Sequence, residues 1–286
     1  MIECGKMIDK VIYKRLIMKH IAILGPKNTY SDLCYKRYQE VAKETLVPHY
    51  FQTITQTVQQ GSFLDYVILP IENSLEGYVQ HHMDLLMNSK LKIEAEMILP
   101  ICFDFVHKAK SKRLYVQYVT KNQCLNFLEN RNESIIITDS NVESYQRYLE
   151  DTEGCAIVPH HLINSNDQTI ASVADEQHNY TRFLILSSKT ESPHLYQKNK
   201  FFKVSLIITP YIDRPGLLFD ILKLFAEENV NLISIMSRPT KKQLGTYHFF
   251  IELVSDISSQ NHVEAVLKQM KNHFEVMILG TYQEID

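Results

Sequence analysis

A pattern of apolar strand, polar loop and amphipathic helix recurs along the first half of the chain and limits the fold more than any other feature. His20-Ile-Ala-Ile-Leu24 reads as a buried strand, Gly25-Pro26 turns the chain, and Thr29 with Asp32 gives a capping-box start to a helix through Glu40. Tyr66-Val-Ile-Leu69 repeats the strand, ends at Pro70-Ile-Glu-Asn-Ser74 and leads into a helix expected over 77–88. Ser134-Ile-Ile-Ile-Thr138 runs into Asp139-Ser140, where Ser140 and Glu143 form another capping box for a helix to about Leu149, and Cys155 to Val158 adds a strand. Strands alternating with helices predict an α/β protein with a mostly parallel sheet, in which ligands bind beyond the carboxyl ends of the strands. The loops at Gly25 and Pro70 lie at such ends.

The second half changes its grammar. Thr181-Arg-Phe-Leu-Ile-Leu186 reads as a strand that begins polar and continues apolar, and the polar stretch from Ser187 to Lys200, with Pro193 inside it, reads as a linker. Beyond it come a strand over 201–209, a helix whose cap and early proline are expected from Asp213-Arg-Pro-Gly216, strands over 231–236 and 246–254 joined by a turn over 238–245, a helix over 258–272 and a strand over 275–282. Leu217, Leu218, Ile221, Leu222, Leu224 and Phe225 give the first of these helices one wide apolar face. The order strand, helix, strand, strand, helix, strand is the split βαβ arrangement of ferredoxin-like domains.

For 286 residues, two domains with one of them split into lobes is the natural division. Apolar and charged fractions of 45% and 22% are those of a folded globular protein, and a formal charge of −3 argues against a nucleic-acid binder. An anionic ligand must then be met by local cations and helix ends. The five cysteines are scattered and never spaced Cys-x-x-Cys, which indicates neither a disulfide framework nor a zinc site. His81-His82 and His160-His161 are adjacent pairs whose side chains diverge by about 100° on a helix, so no metal site is expected. No apolar run approaches the ~18 residues of a membrane span. Lys6, Asp9, Lys10, Lys14 and Arg15 break the first 17 residues, which read as an extension with no assigned role, and a cytoplasmic location fits best.

Four motifs carry a resemblance. Gly25-Pro-Lys-Asn-Thr-Tyr-Ser31, Pro70-Ile-Glu-Asn-Ser74 with Gly77, Asn179 before Thr181-Arg-Phe183, and Asp213-Arg-Pro-Gly-Leu-Leu218 followed by Asn231-Leu232 occur in the order found in prephenate dehydratases that end in an ACT regulatory domain. From Met18 onward essentially the whole chain is similar to that family. Each motif also has a purely structural reading: Thr29, Asn73-Ser74 and Pro215-Gly216 suit ordinary helix entries, Thr181 suits any strand, and Arg182 suits a solvated surface. Order and number favour the family. Four departures stand out, with Asn28 in place of glycine, Met236 in place of glutamate, Asn141 in place of threonine, and Val116-Gln-Tyr-Val119 where many relatives carry Ser-His-Pro. Asn28 tolerates positive φ, so its loop is expected to keep its shape.

The resemblance implies a two-lobed, periplasmic-binding-protein-like catalytic unit followed by a ferredoxin-like βαββαβ ACT domain. The expected division is an extension at 1–17, a catalytic domain at 18–190 with lobe one near 18–95 and 176–190 and lobe two near 96–175, a linker at 191–200 and the ACT domain at 201–286. It further implies decarboxylating dehydration of prephenate to phenylpyruvate without a cofactor, tuned by phenylalanine in a homodimer or homotetramer. Thr181, Glu72, Asn73 and Ser74 are the expected catalytic residues, with Glu72 as a proton source if burial raises its pKa. Arg182, Phe183, Thr29, Ser31 and Ser140 are expected to bind substrate, Arg182 by a bidentate grip on a carboxylate. Pro215, Gly216, Leu217, Leu218, Ser237, Arg238 and Pro239 are expected to bind the effector. Two other readings are open at this level: a non-catalytic amino-acid-responsive regulator on the same fold, and an enzyme for arogenate in place of prephenate.

Overall fold

A computed structural model describes residues 18–189, 200–240 and 247–286. The expected extension at 1–17, residues 191–199 of the expected linker and residues 241–246 of the expected turn lie outside the described residues.

Lobe one begins with β1 (Lys19–Leu24), α1 (Tyr30–Ala42), β2 (Leu46–Phe51), α2 (Ile54–Gly61), β3 (Tyr66–Asn73), β4 (Gly77–Tyr78), α3 (Gln80–Asn88) and β5 (Lys92–Pro100). Lobe two holds β6 (Phe103–His107), β7 (Arg113–Gln117), α4 (Tyr118–Asn122), α5 (Leu125–Leu128), β8 (Ser134–Thr138), α6 (Asn141–Glu150), β9 (Gly154–Pro159) and β10 (Gln168–Ile170), after which β11 (Tyr180–Ser187) returns to lobe one. The C-terminal domain follows as β12 (Phe201–Pro210), α7 (Leu217–Glu227), β13 (Asn231–Pro239), β14 (Tyr247–Asp256), α8 (Gln260–His273) and β15 (Phe274–Glu284).

The apolar runs at β1 and β3 are central parallel strands covered on both faces, which is why they lack alternation: Ile21 to Ile23 and Val67 to Leu69 are fully buried. β2 was not foreseen. Pro48 and His49 interrupt its apolar pattern, and the proline is tolerated because β2 is the outermost strand, paired only with β1. The sheets are mixed where mostly parallel ones were expected. β2-β1-β3 and β8-β7-β9 are parallel, but β11, the return strand from lobe two, runs antiparallel to both β3 and β5. The helix expected from Gly77 starts at Gln80, because Gly77 and Tyr78 pair with Asn73 and Glu72 instead. In the C-terminal domain α7 starts at Leu217 with Gly216 at the N-cap, φ 79°, and no side-chain cap, so Asp213 does not cap this helix.

The C-terminal sheet has the order β13-β14-β12-β15. One face carries α7 and α8 over a core that includes Leu206, Ile221, Phe225 and Val266. The other face packs on lobe one, where Ile207, Phe250, Leu279 and Tyr282 share a core with Ile71, Met83, Leu86 and Leu184. Burial of each such side chain contributes about 1.5–3 kcal/mol, enough together to seat the two units firmly on each other. Near its end β15 pairs in parallel with β5, Gln283 with Ala95 and Glu284 with Glu96, so one sheet runs through both units. Gly280 permits this approach: a Cβ there would lie 2.3 Å from the Ile93 carbonyl oxygen.

Candidate active site

Two helices from opposite lobes aim their N-termini at one cavity of about 300 Å³. Lobe one supplies the loop after β1 and the start of α1, with Asn28, Thr29, Tyr30 and Ser31. Lobe two supplies Gln117 and the segment Asp139 to Val142, and β11 contributes Thr181 and Phe183.

Both helix starts are built by local hydrogen bonds. Thr29 Oγ1 accepts from the Asp32 N–H at 3.4 Å, and the buried Asp32 carboxylate accepts from the Asn28 N–H at 2.9 Å. Asn28 holds φ 70°, the left-handed conformation glycine would otherwise supply. Across the cavity, Ser140 Oγ accepts from the Glu143 N–H at 3.1 Å while Glu143 accepts from the Asp139 N–H at 2.8 Å. The N–H groups of Tyr30, Ser31, Asn141 and Val142 then have no helical carbonyl to meet and stand at the positive ends of α1 and α6. Two such ends facing across a small cavity suit a ligand with two carboxylates.

The lobes also touch beside the cavity. The Tyr30 hydroxyl donates to the Cys102 carbonyl at 3.0 Å, and His161 Nε2 donates to the Asn28 carbonyl at 3.0 Å with its ring edge-on to Tyr30. Burial lowers the His161 pKa below the usual imidazole value, which keeps the ring neutral at neutral pH.

Antiparallel pairing sets Thr181 opposite Asn73 and Arg182 opposite Glu72. Because successive side chains on a strand point to opposite faces, these two pairs separate. Thr181 and Phe183 reach the cavity. Asn73 stands behind Thr181, its Nδ2 donating to Thr181 Oγ1 at 3.1 Å and to Asn179 Oδ1 at 2.7 Å, while its Oδ1 accepts from the N–H groups of Leu75 and Glu76. Buried Asn179 donates in turn to Gln123 Oε1 in lobe two at 3.0 Å. Ser74 ties down the start of β11, accepting from the Tyr180 N–H at 2.9 Å and donating to the His178 carbonyl at 3.2 Å. With Asn73 as donor, the Thr181 hydroxyl keeps its own hydrogen for the cavity.

Arg182 and Glu72 do not line the cavity; the alternation turns them toward the C-terminal domain. Arg182 Nη1 donates to Glu72 at 2.9 Å and to Glu252 of β14 at 2.9 Å, Nη2 donates to Glu252 and lies 3.4 Å from the Tyr282 hydroxyl, and Nε sits 2.9 Å from Glu96 without hydrogen-bond alignment. Burial alone would lower the Arg182 pKa, but the surrounding anions outweigh it and the shift is upward. Burial would raise that of Glu252, yet the Arg182 charge and its hydrogen bonds hold it at about 2.

Thr29, Ser31, Ser140, Thr181 and Phe183 are thus brought together at the cavity, with Asn73 and Ser74 directly behind. Reading the sequence missed Gln117, Tyr30 and Asp139 as cavity residues and missed Gln123 altogether. Asn141 and the segment holding Gln117 had been marked only as departures from the family. Gln117 stands in that departing stretch, its Oε1 capping α4 through the N–H groups of Val119 and Thr120, and Asn141 Oδ1 accepts from Thr120 Oγ1. The signal available for both was their position at a helix start.

The expected effector residues fall on two elements. Pro215, Gly216 and Leu218 are exposed around the start of α7, and Leu217 is buried beneath it. Ser237 and Pro239 are exposed on β13, while Arg238 faces the other way and pairs with Asp84 of α3 at 2.7 Å. A separate cavity of about 450 Å³ beside α7 contains Leu217 but none of the others.

A family model described as prephenate dehydratase matches residues 21–191, and one described as ACT domain matches residues 211–269. The chain belongs to the prephenate dehydratase family. A prephenate dehydratase from Methanocaldococcus jannaschii is 30% identical over 272 residues, covering 91% of this chain and 97% of that protein. Among solved structures, the prephenate dehydratase from Staphylococcus aureus is 26% identical with a TM-score of 0.75 over 93% of this chain and all of that one. The Arthrobacter aurescens prephenate dehydratase in complex with L-Phe is 25% identical with a TM-score of 0.78 over 93% and 90%. In this chain the dehydratase match precedes the ACT match. Among the described residues no helix is long and apolar enough to cross a membrane.

Proposed function

We propose that this chain converts prephenate to phenylpyruvate by loss of water and carbon dioxide, and that phenylalanine at the ACT domain regulates it. The observation that carries the reading is the pair of opposed helix N-termini with the Thr181 hydroxyl between them. Prephenate presents two carboxylates and a ring hydroxyl, and the cavity presents donors for all three.

In the reaction the bond from the ring to its carboxylate breaks and releases carbon dioxide, its electrons enter the ring, and the ring hydroxyl takes up one proton, supplied by solvent and relayed through the Thr181 hydroxyl, and leaves as water. Aromatisation supplies much of the driving force. The protein's task is to fix the dianion, exclude water and aim donors at the departing oxygen. Thr181 donates a hydrogen bond there, polarised by the Asn73 amide that donates to its oxygen. Threonine is too weak an acid to surrender a proton outright near neutral pH, so it acts as donor or relay. The N–H groups at the starts of α1 and α6 hold the carboxylates, with Thr29, Ser31 and Ser140 shaping those ends and Phe183 against the ring. Glu72 and Arg182 serve from behind the strand.

Pairing of ACT domains into a homodimer or a dimer of dimers belongs to this reading, as do phenylalanine binding near Gly216 and Ser237 and a place in the cytoplasm. The nearest atom to a Cβ placed on Gly216 is the tip of the exposed Arg214 side chain at 4.0 Å, and no backbone crowds it, which lets a ligand approach the backbone.

The deciding experiment incubates purified protein with prephenate near neutral pH and follows phenylpyruvate by its ultraviolet absorbance, with a parallel arm on arogenate and a phenylalanine titration. Turnover of prephenate supports the reading. Binding without turnover favours a ligand-responsive regulator, and turnover of arogenate alone moves the activity to that substrate.

A further inference from the structure

The second face of β11 holds a cluster with no part in contacting substrate, yet it lies one residue from Thr181. Arg182 is 7% exposed, and Glu96 and Glu252 are fully buried. Glu252 receives Arg182 through both carboxylate oxygens and accepts from the Ser205 hydroxyl at 2.7 Å and the Tyr282 hydroxyl at 2.8 Å. The Tyr78 hydroxyl, from β4, donates to it as well. Glu96 is shared between Arg182 and Lys203, the latter at 2.5 Å. Arg182, Glu72, Glu96 and Tyr78 belong to lobe one, whereas Glu252, Ser205, Tyr282 and Lys203 belong to the ACT domain.

Exposed ion pairs contribute little, but a buried bidentate pair is held in one geometry, because every departure from it leaves a charge unpaired in a low-dielectric setting. The guanidinium is therefore a fixed point, and the fork fixes the direction of the side chain that ends in it. β11 cannot rotate or slide about that point without moving Thr181, and Glu72, partly exposed, ties the neighbouring strand to the same guanidinium by a single bond one residue before Asn73. The register of β11 against β3 changes between Arg182 and Phe183, so at this position the pairing with β3 is irregular and the Arg182–Glu72 contact joins the two strands beside the irregularity.

From this geometry we infer that Glu252 of the ACT domain is a positioning residue for the dehydratase reaction: through Arg182 and Glu72 it sets the β3–β11 pair, and with it the Thr181 hydroxyl and the Asn73 amide that orients it. The inference rests on the proposed activity for its kinetic part and on the strand pair alone for its structural part. The catalytic unit then has an unfinished socket that the sensor domain completes, so a shift of β14 is transmitted to Thr181 without any contact between the ACT domain and substrate.

The test uses the full chain with Glu252→Gln, which keeps the shape and loses the charge, and Arg182→Lys, which keeps the charge and loses the fork. With prephenate, each variant should lose about tenfold or more in kcat with KM within about twofold, since small misplacements of a reacting group cost rate more than binding. In a Thr181→Ala background the Glu252→Gln change should cause no further loss, because its effect passes through Thr181. Equal losses in both backgrounds, or unchanged kcat in both variants, would overturn the inference. Amide hydrogen exchange separates it from the fate of the proposed activity. Peptides over 70–78 and 178–185 should exchange faster in Glu252→Gln while those over 134–150 do not change; an unchanged 178–185 peptide refutes the inference even if the wild type makes no phenylpyruvate.

Discussion

Thr181 and Arg182 are consecutive in β11 yet belong to different parts of the protein: the threonine lines the cavity between the lobes, and the arginine is clamped by Glu252 of the ACT domain. The Pro70 to Ser74 motif divides in the same way, with Asn73 behind Thr181 and Glu72 against Arg182. Each signature thus sends one residue to the cavity side of the strand pair and one toward the ACT domain.

Arg182→Met should destabilise the protein strongly. It leaves Glu252 buried without its cation and Glu96 with Lys203 alone, a change of the kind that costs about 3–5 kcal/mol. Glu72→Gln should cost far less, because Glu72 is partly exposed and water can replace its partner. Urea denaturation of the three proteins measures both; an Arg182→Met midpoint equal to that of the wild type would contradict the clamp.

Thr181→Ala should lower kcat about 10²–10³-fold, the range for loss of one well-placed donor, with KM changed only modestly. Thr181→Ser keeps the hydroxyl that Asn73 orients and should retain much of the rate. Near-normal turnover by the alanine variant would remove Thr181 from the chemistry.

Gly280→Ala should disturb the junction between β15 and β5. The added carbon meets backbone, the Ile93 carbonyl, so a neighbouring side chain cannot swing away to admit it. Overpacking of this kind costs about 1–3 kcal/mol or more. A lowered melting temperature is expected, and an unchanged one would mean that the junction is looser than its geometry.

Stability should fall in acid partly through Glu252. Its pKa in the folded protein, about 2, lies below the ordinary value of 4.5, so its ionised form is favoured by folding. That contribution is complete above pH 4.5 and fades as the pH drops through the folded value. Glu252→Gln should be less stable than the wild type near neutral pH, and the difference should shrink between pH 4.5 and 2. Parallel denaturation midpoints across that range would contradict the assignment.

Much of the fold was legible before the structure. β1 and β3 announce themselves as unbroken apolar runs, and the capping boxes at Thr29 and Ser140 mark two helix starts that do face the cavity. β2 stayed hidden because Pro48 and His49 break its pattern, and only its place at the sheet edge makes them acceptable. The segment Asp213-Arg-Pro-Gly216 is expected to cap a helix with an early proline, and the N-cap falls on its last residue, Gly216 in the left-handed conformation, so Pro215 precedes the helix and Asp213 does not cap it.

What the chain determined by itself is local: which segments alternate, where helices begin, and that residues 181 and 182 must point opposite ways if they lie on a strand. Which of the two faces meets the cavity was decided only by tertiary structure. It depends on β11 crossing back from lobe two to lie between β3 and β5, and on the ACT sheet closing over the face that carries Arg182. A charged side chain looks alike in sequence whether it is solvated, grips a substrate or is buried against three carboxylates, because its partners lie about 70 to 110 residues away and folding alone brings them together.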